Sequence, residues 1–203
     1  MFTFKDRKEA AERLFTYLTL DKFDVVVGIP RGGVIVASKL ASLLNLECKI
    51  VICKKIPFEL NSEVAIGALT SDEVVLDQSL ITAYNVSSSY IQNRVEELKL
   101  EIEAREQLYA HNLFAGDRKR VLLVDDGAAT GWTLIAASRL LKKKLCNVTI
   151  AIPVCSPDAY NQIKEECDKL ISLETPFGFK AVGMYYAEFP QVTDDHILYT
   201  LKK

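Results

Sequence analysis

Short β-branched apolar runs alternate with stretches whose apolar residues recur every three or four positions. The first run, "FDVVVGIP" at 23–30, is short and closes on Gly and Pro, which predicts a buried strand. Residues 33–45 then set Val34, Ala37, Leu40, Ala41 and Leu44 on one helical face. The run 48–56 reads as the next strand, and 64–69 and 73–77 as a shorter strand pair across "TSD". Residues 87–112 carry a narrow stripe of Ile91, Val95, Leu98 and Ile102 in a charged background, which predicts one long helix with N-cap candidates among its leading serines. The alternation resumes with a strand at 120–126, a helix at 131–144 and a strand at 147–154. A helix with Pro157 near its start and a strand at 169–176 follow, before an aromatic tail. Strands separated by helices imply parallel pairing through right-handed crossovers. Near-continuous apolar strands imply a sheet covered on both faces. The fold class expected is α/β.

A length of 203 residues suits a single domain over 1–203, and 49% hydrophobic residues suffice for its core. A net charge of −2 gives no sequence-independent grip on nucleic acid. No run approaches the roughly 18 apolar residues of a membrane span. The N-terminus is charged every few residues and lacks the apolar stretch of a signal peptide, so a cytoplasmic location is expected. Cys48, Cys53, Cys146, Cys155 and Cys167 make no CxxC pair and read as reduced thiols.

The chemistry concentrates at 121–133, "VLLVDDGAATGWT". Asp125 and Asp126 close an apolar strand, where open α/β sheets bind ligands. Two adjacent anions repel, and a partner rich in hydroxyl donors, or a cation, relieves them. The next residues suit an anion. Gly127, Ala128, Ala129 and Gly131 leave backbone N–H groups uncovered, Thr130 and Thr133 add hydroxyls, and a helix begins near Trp132. The site fits a molecule with a phosphate at one end and a diol or metal beside it, and a ribose 5-phosphate has that shape. A similar strand-to-helix turn occurs in "GIPRGGVIVA", where Arg31, Gly32 and Gly33 offer a second anion site. Lys54 and Lys55 end the 48–56 run as a basic pair that would face the same crevice. Rival motifs are missing: there is no Gly-Lys-Ser/Thr loop, no GxGxxG and no HExxH, and only His111 and His196 exist.

The 121–133 pattern of four apolar residues, two acids, small residues and Thr-Gly-x-Thr resembles the 5-phosphoribosyl 1-diphosphate (PRPP) signature of type I phosphoribosyltransferases. Trp132 departs from it, since that position is usually small or polar. The segments "DRKEAAERL", "KKIPFELNSEVAIGAL", "AIPV" and "YYAEFPQVTDD" extend the likeness along nearly the whole chain, toward a bacterial and archaeal group whose acceptor is unknown. The resemblance implies a mostly parallel sheet of about five strands in a core over about 20–175, with a small hood. The hood would draw mainly on 176–203, with a contribution from the N-terminus.

By that resemblance, Asp125 and Asp126 hold the ribose hydroxyls, and Ala128, Ala129, Thr130, Gly131, Trp132 and Thr133 hold the 5-phosphate. Arg31, Gly32, Gly33 and Lys55 hold pyrophosphate, and Phe177, Phe179, Tyr185 and Tyr186 are candidates to stack on a base. The implied activity is transfer of a phosphoribosyl group from PRPP to a nitrogenous base in nucleotide metabolism. The charged leaving group calls for Mg²⁺, carried mainly by PRPP with help from Asp125 and Asp126. A homodimer fits the family, with the 87–112 stripe packing on its own sheet or on a partner. The alternative is a PRPP- or nucleotide-sensing protein without turnover. The intact acidic pair and both phosphate loops favour the enzyme.

Overall fold

A computed structural model describes residues 3–202, the side chain of Glu63 excepted. Its first half runs α1 (Arg7–Phe15), β1 (Val25–Gly28), α2 (Gly32–Leu44), β2 (Cys48–Ile50), β3 (Lys54–Phe58), β4 (Asn61–Leu69), β5 (Val74–Leu76), α3 (Gln78–Tyr84) and α4 (Ser88–Leu108). After a short 3₁₀ turn come β6 (Arg120–Val124), α5 (Trp132–Lys143), β7 (Asn147–Val154), α6 (Pro157–Lys164), β8 (Lys169–Glu174) and α7 (Asp194–Leu201). Five strands form one parallel sheet in the order β2-β1-β6-β7-β8.

Alternate residues of these strands face opposite ways. Val25, Val27, Val121 and Leu123 pack with Leu134 and Ile135 of α5 and with Ala159 and Ile163 of α6. Val26, Leu122 and Val124 pack on the other face with Leu14 of α1 and with Val36, Ala37 and Leu40 of α2. All of Val121–Val124 are 0% exposed. At roughly 1.5–3 kcal/mol per buried aliphatic side chain, β6 is pinned up to the residue before the acidic pair.

The run 48–56 does not remain one strand. Its first three residues, β2, join the parallel sheet, and Val51 to Cys53 leave it. Lys54–Phe58 then open a separate antiparallel sheet of order β3-β4-β5. Pro57 lies where the β3–β4 register shifts, the position a residue without an N–H tolerates. The stripe of α4 packs on its own chain: Leu98 and Ile102 share a core with Ile56, Phe58, Ile66 and Leu69 of this second sheet. Ser87 caps α4 by accepting from Tyr90 N at 3.2 Å. Three helices lie outside the sequence expectations. Of these, α1 buries Arg7, Ala10, Ala11 and Leu14, a spacing of three and four that sets all four on one face.

Candidate active site

The sheet order reverses between β1 and β6, the place where open α/β sheets hold ligands. The register pairs Gly28 with Val124, so both strands end at the same height. Helices α2 and α5 leave from there on opposite faces. Five of the seven α-helices among the described residues have a side-chain N-cap, from Asp6, Asp77, Ser87, Ser156 or Thr193. The two without one are α2, whose N-cap position is Arg31, and α5, whose N-cap position is Gly131. Their first N–H groups have no partner within the helix and carry the positive end of its dipole, the chemistry of an anion site.

Between these helix starts stand Asp125 and Asp126. One oxygen of each is fastened. Asp125 Oδ1 accepts from Asp126 N at 2.8 Å, and Asp126 Oδ2 accepts from Arg7 Nε at 2.8 Å. The two side chains also hydrogen-bond each other, and no donor from another of the described residues reaches Asp125 Oδ2 or Asp126 Oδ1, so acceptor capacity is left for a ligand. Burial, then the neighbouring Asp126 charge, push the Asp125 carboxyl well above the usual carboxylate range, and the Lys55 ammonium acts the other way. Tyr186, 2% exposed, donates its hydroxyl to Asp126 O at 2.6 Å from below.

The glycines of the first turn serve this pair. A Cβ on Gly32 would lie 1.8 Å from Asp126 Oδ2, and one on Gly33 would lie 2.8 Å from Asp125 Cα. The turn therefore presses against both acids, and only hydrogen fits there. The Pro30–Arg31 peptide is cis. Arg31 itself is exposed, beside a cavity of about 380 Å³ that Arg7, Gly32, Phe189, Gln191 and Val192 also line.

In the second loop, Gly127 at φ +155° and Gly131 at φ +79° carry the chain from β6 into α5. Ala128 N donates to Val154 O at 2.9 Å, and Ser156 Oγ donates to Ala129 O at 2.7 Å, which fixes the loop against the start of α6. Ala129 and Thr130 are exposed, and Thr133 is half-buried in the first turn of α5. Trp132 packs partly against the α5 core and lines a second cavity of about 380 Å³ with Ala129, Thr130, Ser156, Phe179 and Lys180. A larger cavity, about 660 Å³, lies among Lys8, Lys39, Lys49 and His196, and neither the 30–33 turn, the 127–133 loop, Asp125 nor Asp126 lines it.

Lys55 sits on β3 of the antiparallel sheet rather than at the end of a core strand. Successive residues of a strand point oppositely: Lys54 pairs with Glu101 at 2.5 Å, while Lys55 is exposed and acts on Asp125. The N-terminal segment pairs with the aromatic tail through its backbone: Thr3 N and Phe4 N donate to Tyr185 O, and Ala187 N donates to Phe4 O. Tyr185 stacks on Phe179 with centroids 5.5 Å apart. Phe177 is 97% exposed. Tyr186 is packed between Phe4 and Phe189, beneath the acids rather than open to a ligand ring.

No group of three or more His, Cys, Asp or Glu among the described residues is arranged to hold a metal ion. The sequence reading missed Arg7. Its signal was present: an arginine in register with Ala10, Ala11 and Leu14 lies on the apolar face of an amphipathic helix, where a cation needs a buried partner.

A family model described as the phosphoribosyl transferase domain matches residues 4–188. A curated relative from Mycobacterium tuberculosis, named "Putative phosphoribosyl transferase", is 29% identical over 98% of this chain and 46% of its own length. The chain thus spans about half the length of the curated relatives it matches. Among solved structures, TT1426 from Thermus thermophilus is 33% identical, with a TM-score of 0.81 over 98% of this chain and 97% of that one. APRTase from Giardia lamblia, complexed with 9-deazaadenine, shares the fold at a TM-score of 0.52 and 15% identity, over 84% of this chain and 79% of that one. With the acidic pair, the two loops and the sheet that aligns them already in view, the match over residues 4–188 means that this chain belongs to the phosphoribosyl transferase domain family.

Proposed function

We propose that this domain transfers the 5-phosphoribosyl group of PRPP to a nitrogen of a planar base, or to a related nucleophile, and releases pyrophosphate. The observation that carries the reading is two uncapped helix starts facing one crevice with an acidic pair between them. PRPP has the matching order: a phosphate, a diol, and a diphosphate. Ala128, Ala129, Thr130, Gly131, Trp132 and Thr133 receive the 5-phosphate. Arg31, Gly32, Gly33 and Lys55 receive the diphosphate. Asp125 Oδ2 and Asp126 Oδ1 accept from the 2- and 3-hydroxyls.

The donor set suits Mg²⁺, which takes one or two protein carboxylates and completes its shell with phosphate oxygens and water. Asp125 and Asp126 would hold it, and when bound it supplies positive charge to the departing diphosphate. The C1–O bond breaks and its electron pair leaves with pyrophosphate. The acceptor nitrogen forms the new C1–N bond, and its proton passes to water. Positive charge develops on the ribose ring meanwhile, as in glycoside hydrolysis, and the acids offset it. Arg31, Lys55 and the N–H groups of the first turn take up the leaving charge. Phe177 and Tyr185 offer ring faces to the base.

Calorimetry and turnover test the reading. With Mg²⁺ and a panel of bases, PRPP releases pyrophosphate in an acceptor-dependent way. Thr130→Val weakens PRPP and nucleoside 5′-monophosphates by about tenfold or more, the loss expected of a hydrogen bond to a charged group. Arg31→Ala weakens PRPP and free pyrophosphate and spares the monophosphates. Binding of PRPP without turnover on any acceptor would favour the sensor, and no binding at millimolar PRPP would remove the reading altogether.

A further inference from the structure

Arg7 is 7% exposed on the apolar face of α1, where an unpaired cation would be costly. Three contacts hold it, from two parts of the chain. Nε donates to Asp126 Oδ2 at 2.8 Å, Nη1 donates to Pro190 O at 2.9 Å, and the guanidinium carbon lies 3.7 Å from the Phe189 ring centroid. The Asp126 oxygen that Arg7 takes is the one Gly32 presses against. Arg7 is the one cationic side chain among the described residues that hydrogen-bonds the Asp126 carboxylate, so Arg7 and Gly32 together fix its Oδ2 end and with it the setting of the second oxygen.

We propose that Arg7 is a positioning residue for phosphoribosyl transfer: it turns Asp126 so that Oδ1 meets a ribose hydroxyl, and it locks that setting to the Phe189–Pro190 segment. The inference rests on the ribose role given to Asp126 above. It assigns Arg7 a task that charge alone does not perform. The Nε and Nη1 bonds diverge from one planar group whose face covers Phe189. A lysine offers one ammonium with no plane, so it can keep the charge and lose the geometry.

The test measures Arg7→Lys and Phe189→Leu against wild type by calorimetry with three probes in Mg²⁺: PRPP, ribose 5-phosphate and inorganic pyrophosphate. Arg7→Lys is expected to weaken PRPP and ribose 5-phosphate by about tenfold and to leave pyrophosphate within about twofold, since the charge-assisted hydrogen bond that aligns the Asp126 carboxylate is lost. Phe189→Leu removes the ring the guanidinium rests on and keeps an aliphatic side chain against Tyr186, and Phe189 is 37% exposed, so this variant folds if Arg7→Lys does not. It is expected to weaken the same two ligands by about threefold, the scale of an exposed cation–π contact. Wild-type affinity for ribose 5-phosphate in either folded variant overturns the proposal. An equal loss for pyrophosphate overturns it too, because Arg7 would then bind phosphate directly. If wild type itself binds neither PRPP nor ribose 5-phosphate, the functional reading fails first and this proposal falls with it.

Discussion

A methyl group at position 32 would stand 1.8 Å from Asp126 Oδ2, 2.6 Å from its Cγ and 3.0 Å from Arg7 Nε. Ordinary contact requires the carboxylate oxygen to retreat by about 1.5 Å. The obstacle is a side-chain end, so the fold can accommodate Gly32→Ala by swinging Asp126 aside. The swing breaks the Arg7 bridge, worth about 1.5–3 kcal/mol as a charge-assisted hydrogen bond between groups that are 8% and 15% exposed. Replacing a helical glycine by alanine returns about 0.5–1 kcal/mol. The net loss is about 0.5–2.5 kcal/mol, or roughly 1–10 °C in Tm for a domain of this size. Function is hit harder, because a displacement near 1 Å of an aligned group costs on the order of a hundredfold. Differential scanning calorimetry gives the first number and PRPP-dependent pyrophosphate release the second. A variant with unchanged Tm and pyrophosphate release within about threefold of wild type would refute the claim that Gly32 exists to seat Asp126, since both effects follow from one clash.

Asp125→Asn tests the charge at the other acid. The raised folded-state pKa means that, above the ordinary value of 3.8, the unfolded chain ionises while the native carboxyl keeps its proton. Stability therefore drains away as pH rises, until the native pKa is passed. The isosteric amide escapes this drain, so the variant's Tm advantage over wild type should widen from pH 4 to pH 7; a flat or shrinking advantage would show that Asp125 is not strained by burial and by Asp126. Tyr186→Phe leaves the Asp126 carbonyl without its 2.6 Å donor. The expected cost is about 1–3 kcal/mol in denaturant unfolding, and none would mean that water replaces the hydroxyl.

Much of the site is local in sequence. The 121–133 stretch carries its strand, its acids, its glycines and its helix start within thirteen consecutive positions, so chain chemistry alone could point to a phosphate loop beside two carboxylates. The 30–33 turn is local in the same way. Periodicity likewise marks the strands that are buried on both faces. It does not mark which sheet a strand joins, because an apolar run records burial and not its neighbours. That is why 48–56 reads as one strand yet splits between two sheets, carrying Lys55 from a core strand to the antiparallel one. Contacts across long sequence separations are silent for the same reason. Arg7 is 119 positions from Asp126, and Tyr186 is 60. The helix pattern of α1 says that Arg7 faces inward, and the aromatic tail says that Tyr186 is a ring to be packed. Only the folded chain, with β1 and β6 ending level and the N- and C-terminal segments laid together across them, brings both residues to one aspartate, Arg7 to its carboxylate and Tyr186 to its backbone carbonyl.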